Sequence, residues 1–358
     1  MLDHAAALCG IGRFEDGAKV LSDARALNPN DHVVAWRSGL ELCRAGNWSQ
    51  GLAELAMHRI LDPEQWKSNV LRRFRHPHWQ GAEISDKSLL MWAEQGLGDQ
   101  VMQARAIPAL TNIAKDLTIE CNRRLIPLFQ RSFLQIGDLQ FEPQTTRSQD
   151  ALNTRPFDLQ SSLLLAWRFV QPPPWQPQPQ YLIPDLELVD AFRSNWKERG
   201  WTQNIGLSWR SVAPGHGRLR SLTLEATRPW RRLGSTFHSL QYDATPEELQ
   251  AEVASSDLPL EWDQDGDVRT DIDRLAARIA TLDLVITIDN TTAHLAGAIG
   301  TPCWLLLPLA RDWRWGLPGA ETGLYQSVRI FSNDQADRWG GIVVDVASAL
   351  QAEVIQRS

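Results

Sequence analysis

The sequence has few cysteines, and they stand far apart. Its 358 residues include four, at positions 9, 43, 121 and 303, with no Cys-x-x-Cys pair. This spacing excludes a disulfide scaffold, and with no signal-peptide pattern it predicts a reduced, cytoplasmic protein. Apolar runs such as Cys303 to Leu307 fall well short of the roughly 20 residues that cross a bilayer. We therefore expect no transmembrane segment, and peripheral association with the inner face of a membrane stays open.

Lysine is also scarce, since only five of the 36 basic residues are lysines. The net charge of −7 argues against a dedicated nucleic-acid-binding protein, because such proteins carry a positive patch or stripe. The hydrophobic share of 43% is enough to build a sizeable core, and the length allows two or three domains. We expect a folded, multidomain protein.

The first sixty residues contain an internal repeat with a period of 34 positions. Gly12 to Gly17 matches Gly46 to Gly51, with an aromatic residue two positions after the first glycine in each copy. The same offset relates three further pairs: Leu21 and Leu55, Leu27 and Leu61, Pro29 and Pro63. This period resembles the tetratricopeptide repeat, a helical hairpin. Two repeats are fewer than the roughly three that bury a continuous core. We predict that residues 1–66 are helical and either pack on the next domain or belong to a longer array.

Strand and helix patterns alternate within residues 67–170. Buried-strand patterns cover 88–93 and 116–121, and the turn at 96–99 is predicted to lead into an amphipathic helix that reaches about Ala114. Another helix is predicted over 124–133. Such alternation predicts a parallel sheet.

Residues 171–180 are rich in proline, which fixes φ and lacks a backbone donor, so this segment is predicted to be a linker. The same alternation returns in residues 181–358. Strands are predicted at 204–209, 236–241, 284–288 and 303–307, and helices at 271–280 and 292–299. This predicts a second parallel α/β domain, with ligands bound at the carboxyl ends of the strands in a cleft between the domains.

The stretch Glu94-Gln95-Gly96-Leu97-Gly98-Asp99 follows the first predicted strand. Its glycines allow close approach of a ligand to a helix N-terminus, where free N–H groups favour negative charge. The alternative is that Asp99 only caps the helix. A dinucleotide-binding fingerprint is incomplete, because Val101 stands where a third Gly or Ala is required.

A second turn, Asp289-Asn290-Thr291-Thr292-Ala293-His294, joins a predicted strand to a predicted helix. Two hydroxyls, an imidazole and the first-turn amides would converge there, which suits a diphosphate. The alternative is a threonine N-cap with His294 on a packed helix face.

Two segments combine arginine with other polar or aromatic side chains. Ser208-Trp209-Arg210-Ser211 ends a predicted strand and leads to the basic loop 216–221, where arginine could bind phosphate oxygens in pairs. Asp312-Trp313-Arg314-Trp315 follows another strand and could stack on a base or a sugar. The first segment is also typical of a surface loop that carries arginine for solubility, and the second could equally cover a domain seam.

Two patterns suggest a metal site without completing one. Residues 263–267 read Asp-x-Asp-x-Asp, but Val268 and Arg274 stand where a calcium loop requires Gly and Glu. We interpret this segment as a solvated acidic turn. His76 and His78 lack a Cys or Glu partner at ligand spacing. We predict no metal and no cofactor.

In their order along the chain, these motifs resemble glycosyltransferase family nine, the lipopolysaccharide heptosyltransferases, and especially its branch with N-terminal tetratricopeptide repeats. The likeness covers roughly residues 79–350. It lies in 79–81, 90–99, Arg105, Pro108, 119–122, 206–210, 220–222, 282–307 and 312–315. The resemblance implies a GT-B fold: two Rossmann-like parallel-sheet domains that face a cleft, here preceded by the repeats. It also implies metal-independent, inverting transfer from a nucleotide-diphosphate sugar to a hydroxyl of a glycan or protein.

The resemblance also assigns roles to residues. Asp99 becomes the general base. The donor site comprises Ser208, Arg210, Asp289, Asn290, Thr291, Thr292 and His294. The acceptor site or cleft comprises Glu94, Gln95, Gly96, Gly98, Trp313 and Arg314. A phosphate role for Arg218 or Arg220 stays open.

Two other functions stay open at this point. One is a repeat-based interaction or scaffold protein, with a protein partner on the repeats and an inactive transferase-like domain. Joint retention of Asp99, Arg210 and His294 argues for activity. The other is a sugar-nucleotide-modifying enzyme such as an epimerase, for which Glu94 is the one candidate second acid or base.

Overall fold

A computed structural model describes residues 1–61, 74–144, 148–211, 217–230, 235–242, 245–256, 260–263, 266, 268–309, 311–319, 322–332 and 339–357. The chain divides into two compact units. Unit 1 comprises Met1–Gln178 and Asp312–Leu317, and unit 2 comprises Pro179–Arg311 and Pro318–Ser358. The predicted boundary between residues 66 and 67 lies outside the described residues.

Unit 1 begins with helices, as predicted for this segment. They are α1 (Leu2–Gly10), α2 (Phe14–Leu27), α3 (His32–Arg44) and α4 (Trp48–Leu61). Asp31 caps α3, because its carboxylate accepts hydrogen bonds from the backbone N–H groups of Val33 at 2.8 Å and Val34 at 3.1 Å. Pro63 of the sequence repeat lies outside the described residues.

The two helix pairs pack through equivalent residues. A Cβ added to Gly17 would lie 2.5 Å from the sulfur of Cys9, and one added to Gly51 would lie 2.5 Å from the sulfur of Cys43. Both members of the second pair follow those of the first by 34 positions. Glycine is needed at both places because the neighbouring helix leaves no room for a side chain.

The rest of unit 1 is an α/β arrangement around a parallel sheet of order β3-β2-β1-β4. Its elements are β1 (Ile84–Trp92), α5 (Leu97–Gln103), α6 (Ile107–Thr111), β2 (Ala114–Cys121), α7 (Ile126–Phe133), β3 (Leu139–Pro143), α8 (Ser148–Asn153), β4 (Leu159–Ser162) and α9 (Leu163–Ala166). Short 3-10 turns occupy Ala104–Ala106, Arg123–Leu125 and Trp313–Trp315. Met91 of β1 lies opposite Ile119 of β2 and Ser161 of β4.

The prediction of one helix that follows the turn at 96–99 and reaches about Ala114 was wrong. The 3-10 turn Ala104–Ala106 separates α5 from α6, and Pro108 occupies the first turn of α6. Proline is tolerated there because the first-turn N–H groups have no partner within the helix. Ala114 begins strand β2 instead.

Unit 2 is a second α/β arrangement around a parallel sheet of order β10-β9-β8-β5-β6-β7. Its elements are α10 (Leu186–Glu198), β5 (Asn204–Ser208), β6 (Thr236–Ser239), α11 (Pro246–Ser256), β7 (Leu260–Glu261), α12 (Ile272–Ala280), β8 (Leu284–Ile288), α13 (Thr291–Ile299), β9 (Cys303–Leu307), β10 (Val328–Ser332) and α14 (Gly340–Arg357). Short 3-10 segments cover Gly217–Arg220 and Leu224–Trp230. The central strands β5, β8 and β9 are buried along their whole length, as expected where helices cover both faces.

The prediction of a solvated acidic turn was wrong for Asp263. Its side chain is only 4% exposed and forms a bidentate ion pair with Arg274, at 2.5 Å and 2.9 Å. Residues 264, 265 and 267 of that pattern lie outside the described residues. Along the described helices, no stretch is both long and apolar enough to cross a membrane.

Candidate functional site

In unit 2, the predicted donor turn lies where strand β8 ends and helix α13 begins. Every residue of β8 is buried, and the helix starts at Thr291, one residue earlier than predicted. Asn290 has extended backbone and is the N-cap of α13. The turn therefore lies at the carboxyl edge of the sheet, where parallel α/β sheets bind ligands.

Asn290 connects the turn to the neighbouring strand. Its Oδ1 accepts from the backbone N–H groups of Thr292 at 2.9 Å and Ala293 at 3.4 Å. Its Nδ2 donates to the hydroxyl of Ser208, at the end of β5, at 2.8 Å. The hydroxyl of Thr287 also donates to Oδ1, at 3.1 Å. The cap is thus asparagine rather than threonine, and it already uses two first-turn N–H groups that the sequence prediction offered to a diphosphate.

Asp289 is paired with a residue from the basic loop. Nη1 of Arg220 lies 2.5 Å from its carboxylate, and the two side chains are 22% and 8% exposed. Arg210 instead forms an ion pair with Glu252 of α11, at 3.0 Å. The structure therefore brings Arg220, rather than Arg210, to the turn. His216 of the same loop lies outside the described residues.

The hydroxyl residues of the turn have different surroundings. The hydroxyl of Tyr242 donates to Thr291 Oγ1 at 3.2 Å. Thr292 Oγ1 is buried and has no hydrogen-bond partner among the described residues. His294 is buried on α13, with its Nδ1 2.9 Å from the hydroxyl of Tyr325. The turn therefore contains both a packed helix start and a buried hydroxyl that no described residue pairs with.

In unit 1, the turn that carries Asp99 follows strand β1. Glu94 is buried, and its backbone is held by the side-chain amide of Gln103, through bonds of 3.3 Å and 3.4 Å. Gln95 has a φ of 68°, in the left-handed region that residues other than glycine seldom adopt. A strained backbone of this kind is frequent at functional sites.

Asp99 occupies the third residue of α5 and does cap the helix start. Its Oδ2 accepts from the backbone N–H of Gly96 at 3.0 Å. Its Oδ1 forms an ion pair with Arg314. Capping, offered as the alternative to a functional role, is therefore present, but it uses only one of the two carboxylate oxygens.

The segment Asp312–Leu317 belongs to unit 1. Asp312 caps its 3-10 turn and lies 2.6 Å from Nη1 of Arg314. Trp313 is buried against Trp48 of α4, with ring centroids 5.5 Å apart. Trp313 is thus held in the packing of unit 1, while Arg314 reaches the carboxylate of Asp99.

The ionisation of Asp99 reflects opposing effects. Burial raises the pKa of its carboxyl above the usual range, whereas the charge of Arg314 lowers this pKa. Asp312 raises the pKa again, and the hydrogen bond from Gly96 lowers it. Burial is the largest of these effects, so the carboxylate is a stronger proton acceptor than a solvent-exposed aspartate.

Comparison with known proteins identifies one relative by sequence. The chain is 30% identical over 299 residues to Protein FlbA of Caulobacter vibrioides. The match includes 78% of this chain and 49% of FlbA, so the chain spans about half the length of that relative. No family model matches the chain.

Two solved structures share the architecture. The glycosyl transferase family 9 structure from Veillonella parvula DSM 2008 matches with a TM-score of 0.53 and 14% identity, over 78% of this chain and all of that one. The E. coli ADP-heptose LPS heptosyltransferase II matches with a TM-score of 0.50 and 13% identity, over 74% of this chain and 99% of that one. The chain has the GT-B fold of these glycosyltransferases. The predicted fold class is confirmed.

On this GT-B fold, the sequence reasoning missed four residues of unit 2 that contact predicted donor-site residues. They are Gln241, Tyr242, Glu252 and Tyr325. Gln241 and Tyr242 closely follow β6, and polar residues just after a parallel strand were the signal that could have found them. Tyr325 gives no such signal, because it comes from a loop before β10.

Among the described residues, no group of three or more His, Cys, Asp or Glu side chains is placed to hold a metal ion. His76 instead bonds to the backbone carbonyl of Arg155 at 2.8 Å. Metal independence remains a prediction.

Proposed function

We propose that this chain is a metal-independent, inverting glycosyltransferase, which moves a sugar from a nucleotide-diphosphate sugar to a hydroxyl of a glycan or protein. The observation that carries the proposal is the carboxylate of Asp99, oriented at the carboxyl end of β1 on a GT-B fold. Inverting transfer by direct displacement needs one base that accepts the proton of the attacking hydroxyl. Asp99 is that base, and its raised pKa suits the task.

The donor turn of unit 2 then stabilises the leaving group. Negative charge develops on the nucleoside diphosphate as the bond to the sugar breaks, and preorganised donors lower the energy of that state. Arg220 supplies positive charge beside Asp289, and the N-terminus of α13 supplies a favourable dipole. Thr292 Oγ1, buried without a partner among the described residues, is available to donate to a phosphate oxygen.

The helices α1 to α4 are proposed to be two tetratricopeptide repeats. Supporting this, the contacts of Gly17 with Cys9 and of Gly51 with Cys43 recur at the 34-residue period of that repeat. Such repeats present surfaces for peptides and other proteins. We propose that they recruit the acceptor or a protein partner and that Glu94, Gln95, Gly96 and Gly98 line the acceptor site.

The proposal is tested first with a panel of UDP-, GDP-, ADP- and dTDP-linked sugars in a thermal-shift assay. A donor at 100 times its Kd adds about 2.7 kcal/mol to the stability of the folded protein. The stabilising sugar, radiolabelled, is then incubated with the protein and with lysate from host cells that lack it, and label in macromolecules is counted. We expect the same rate with and without EDTA. A strict requirement for a divalent metal would contradict the proposed mechanism.

We predict that His294→Ala weakens binding of the stabilising donor by about 10-fold or more, the scale of one hydrogen bond to a charged group. Calorimetry measures the change. Tyr325→Phe is the matched control, since it removes the hydroxyl 2.9 Å from His294 Nδ1 and keeps the imidazole. Equal donor affinity in His294→Ala and the wild type would remove His294 from the donor site.

A further inference from the structure

Arg314 contacts the carboxylate of Asp99 and several side chains around it. Its guanidinium contacts Asp99 Oδ1 and the side-chain oxygen of Gln95, and it lies 2.6 Å from Asp312. Its Cζ lies 4.5 Å from the centre of the Trp313 ring, and only 12% of its side chain is exposed. Packing and ion pairing therefore fix the guanidinium in one place.

These contacts fix the carboxylate of Asp99 from both sides. Gly96 donates to Oδ2 at 3.0 Å, and Arg314 forms an ion pair with Oδ1. Each oxygen of an ionised carboxylate has two acceptor positions, so each can still accept one further hydrogen bond. The orientation of the Asp99 carboxylate is therefore fixed, and the carboxylate retains acceptor positions for the hydroxyl of an incoming acceptor.

We propose that Arg314 is the positioning residue of the base: it orients the carboxylate of Asp99 and stabilises its charged form. The proposal rests on the proposed transferase function. It assigns Arg314 a task different from substrate binding, because both terminal nitrogens of its guanidinium face Asp99, Gln95 and Asp312. An arginine fork suits this task, since its donors have a rigid, planar geometry that matches a carboxylate.

The charged groups around Asp99 support this assignment. Asp312, on the same 3-10 turn as Arg314, adds negative charge. Helix α3 packs on that turn and contributes Cys43, whose pKa burial raises to about 12, so the thiol is neutral. The neighbouring Arg44 is paired with Glu41 at 2.8 Å. Among the described residues, Arg314 is thus the cation paired with Asp99, and its charge opposes the effect of burial on the pKa of Asp99.

The sign of the expected pH effect follows from this balance. Arg314 lowers the pKa of Asp99, so its removal raises that pKa. A base works only when ionised, so the acid limb of the rate profile must move to higher pH. An opposite charge in contact typically changes a carboxyl pKa by about 1 unit or more. We therefore expect Arg314→Met to move the acid limb of kcat upward by at least about 1 pH unit.

The test uses the full chain in two independent measurements. The first is the pH profile of transfer for the wild type, Arg314→Met and Arg314→Lys. The second is the 13C titration of the Asp99 carboxyl, assigned by its loss in Asp99→Asn, which needs neither donor nor acceptor. Lysine keeps the positive charge but lacks the planar set of guanidinium donors. We therefore expect Arg314→Lys to restore most of the wild-type pKa of Asp99 and only part of the wild-type kcat. Arg155→Met is the matched control, because it removes a 2.6 Å ion pair with Glu142 on strand β3.

The outcomes separate this proposal from the proposed function. An Asp99 titration that is the same in Arg314→Met and the wild type, with circular dichroism showing a folded chain, overturns the role of Arg314. A raised Asp99 pKa together with an unmoved acid limb also overturns it, because the base would then not depend on Arg314. A wild-type chain that transfers no sugar from any donor, while Asp99 still responds to Arg314, would contradict the transferase function instead.

Discussion

Replacing Asp99 by Asn is expected to lower transfer by at least about 10²-fold, the usual scale for loss of a general base. The amide keeps the shape of the carboxylate, and its oxygen can still accept from Gly96, but it cannot take up the proton of the attacking hydroxyl. The donor turn is in unit 2 and is unchanged by this substitution. The affinity for the stabilising nucleotide sugar, measured by calorimetry, should therefore stay within about twofold of the wild type, well under 1 kcal/mol.

Asp99→Glu is the control that separates charge from position. It restores a carboxylate but displaces it by one methylene, and misplacement of a catalytic group by about 1 Å can cost about 10²-fold in rate. We expect partial recovery of transfer and a recovered acid limb in the pH profile. Full transfer by Asp99→Asn would remove Asp99 from the mechanism, whatever the glutamate variant does.

The sequence predicted the strands that precede the two turns because these strands are largely buried and regular. Strand β8 is apolar except for Thr287 and is buried throughout, and Asp289 to His294 follows it directly. Strands β3 and β4 escaped prediction, since Leu139–Pro143 and Leu159–Ser162 mix apolar with polar residues and are short. Local patterning identifies a central strand more readily than a short strand at the edge of a sheet.

The partners of the turn residues could not be predicted in the same way. Arg220 and Arg210 both stand in one basic region of the sequence, yet Arg220 contacts Asp289 and Arg210 contacts Glu252. Likewise, Arg314 is 215 positions from Asp99 in sequence. The ion pair forms because Asp312–Leu317 packs within unit 1, although the chain on both sides of it belongs to unit 2. Such pairings depend on the path of the chain, which periodicity and spacing do not encode.

The structure also changes the interpretation of the donor turn, from a set of free donors to a rigid, capped helix start. The sequence offered two alternatives, a diphosphate site or a threonine-capped helix with His294 on a packed face, and the structure contains a capped, packed helix whose cap is Asn290. Asn290 satisfies two first-turn N–H groups, and His294 lies against Tyr325. These features are compatible with the proposed donor binding, because the turn holds Arg220 and Thr292 in fixed places. Preorganisation of this kind is what stabilises charge in a transition state.

Replacing Asn290 by Ala is expected to affect both stability and donor binding, because one side chain performs both tasks. Loss of an N-cap costs about 1 kcal/mol. The hydroxyls of Ser208 and Thr287 also lose a buried partner, which adds about 1–2 kcal/mol. We expect the midpoint of thermal unfolding to fall by several degrees, at about 2–4 °C per kcal/mol for a unit of this size. Donor affinity should fall by about 10-fold, because the start of α13 is no longer held to β5.

Two further variants show whether the turn itself binds the donor. Asp271→Ala removes the N-cap of α12 in the same unit, where the carboxylate accepts from the N–H of Arg274 at 2.8 Å. It should lower stability by about 1 kcal/mol and leave donor affinity unchanged. Asn290→Ser keeps a capping oxygen but cannot donate to Ser208, so we expect it to recover stability more than affinity. If Asn290→Ala and Asp271→Ala weakened donor binding equally, the turn at the start of α13 would have no special part in it, and its asparagine would serve the fold alone.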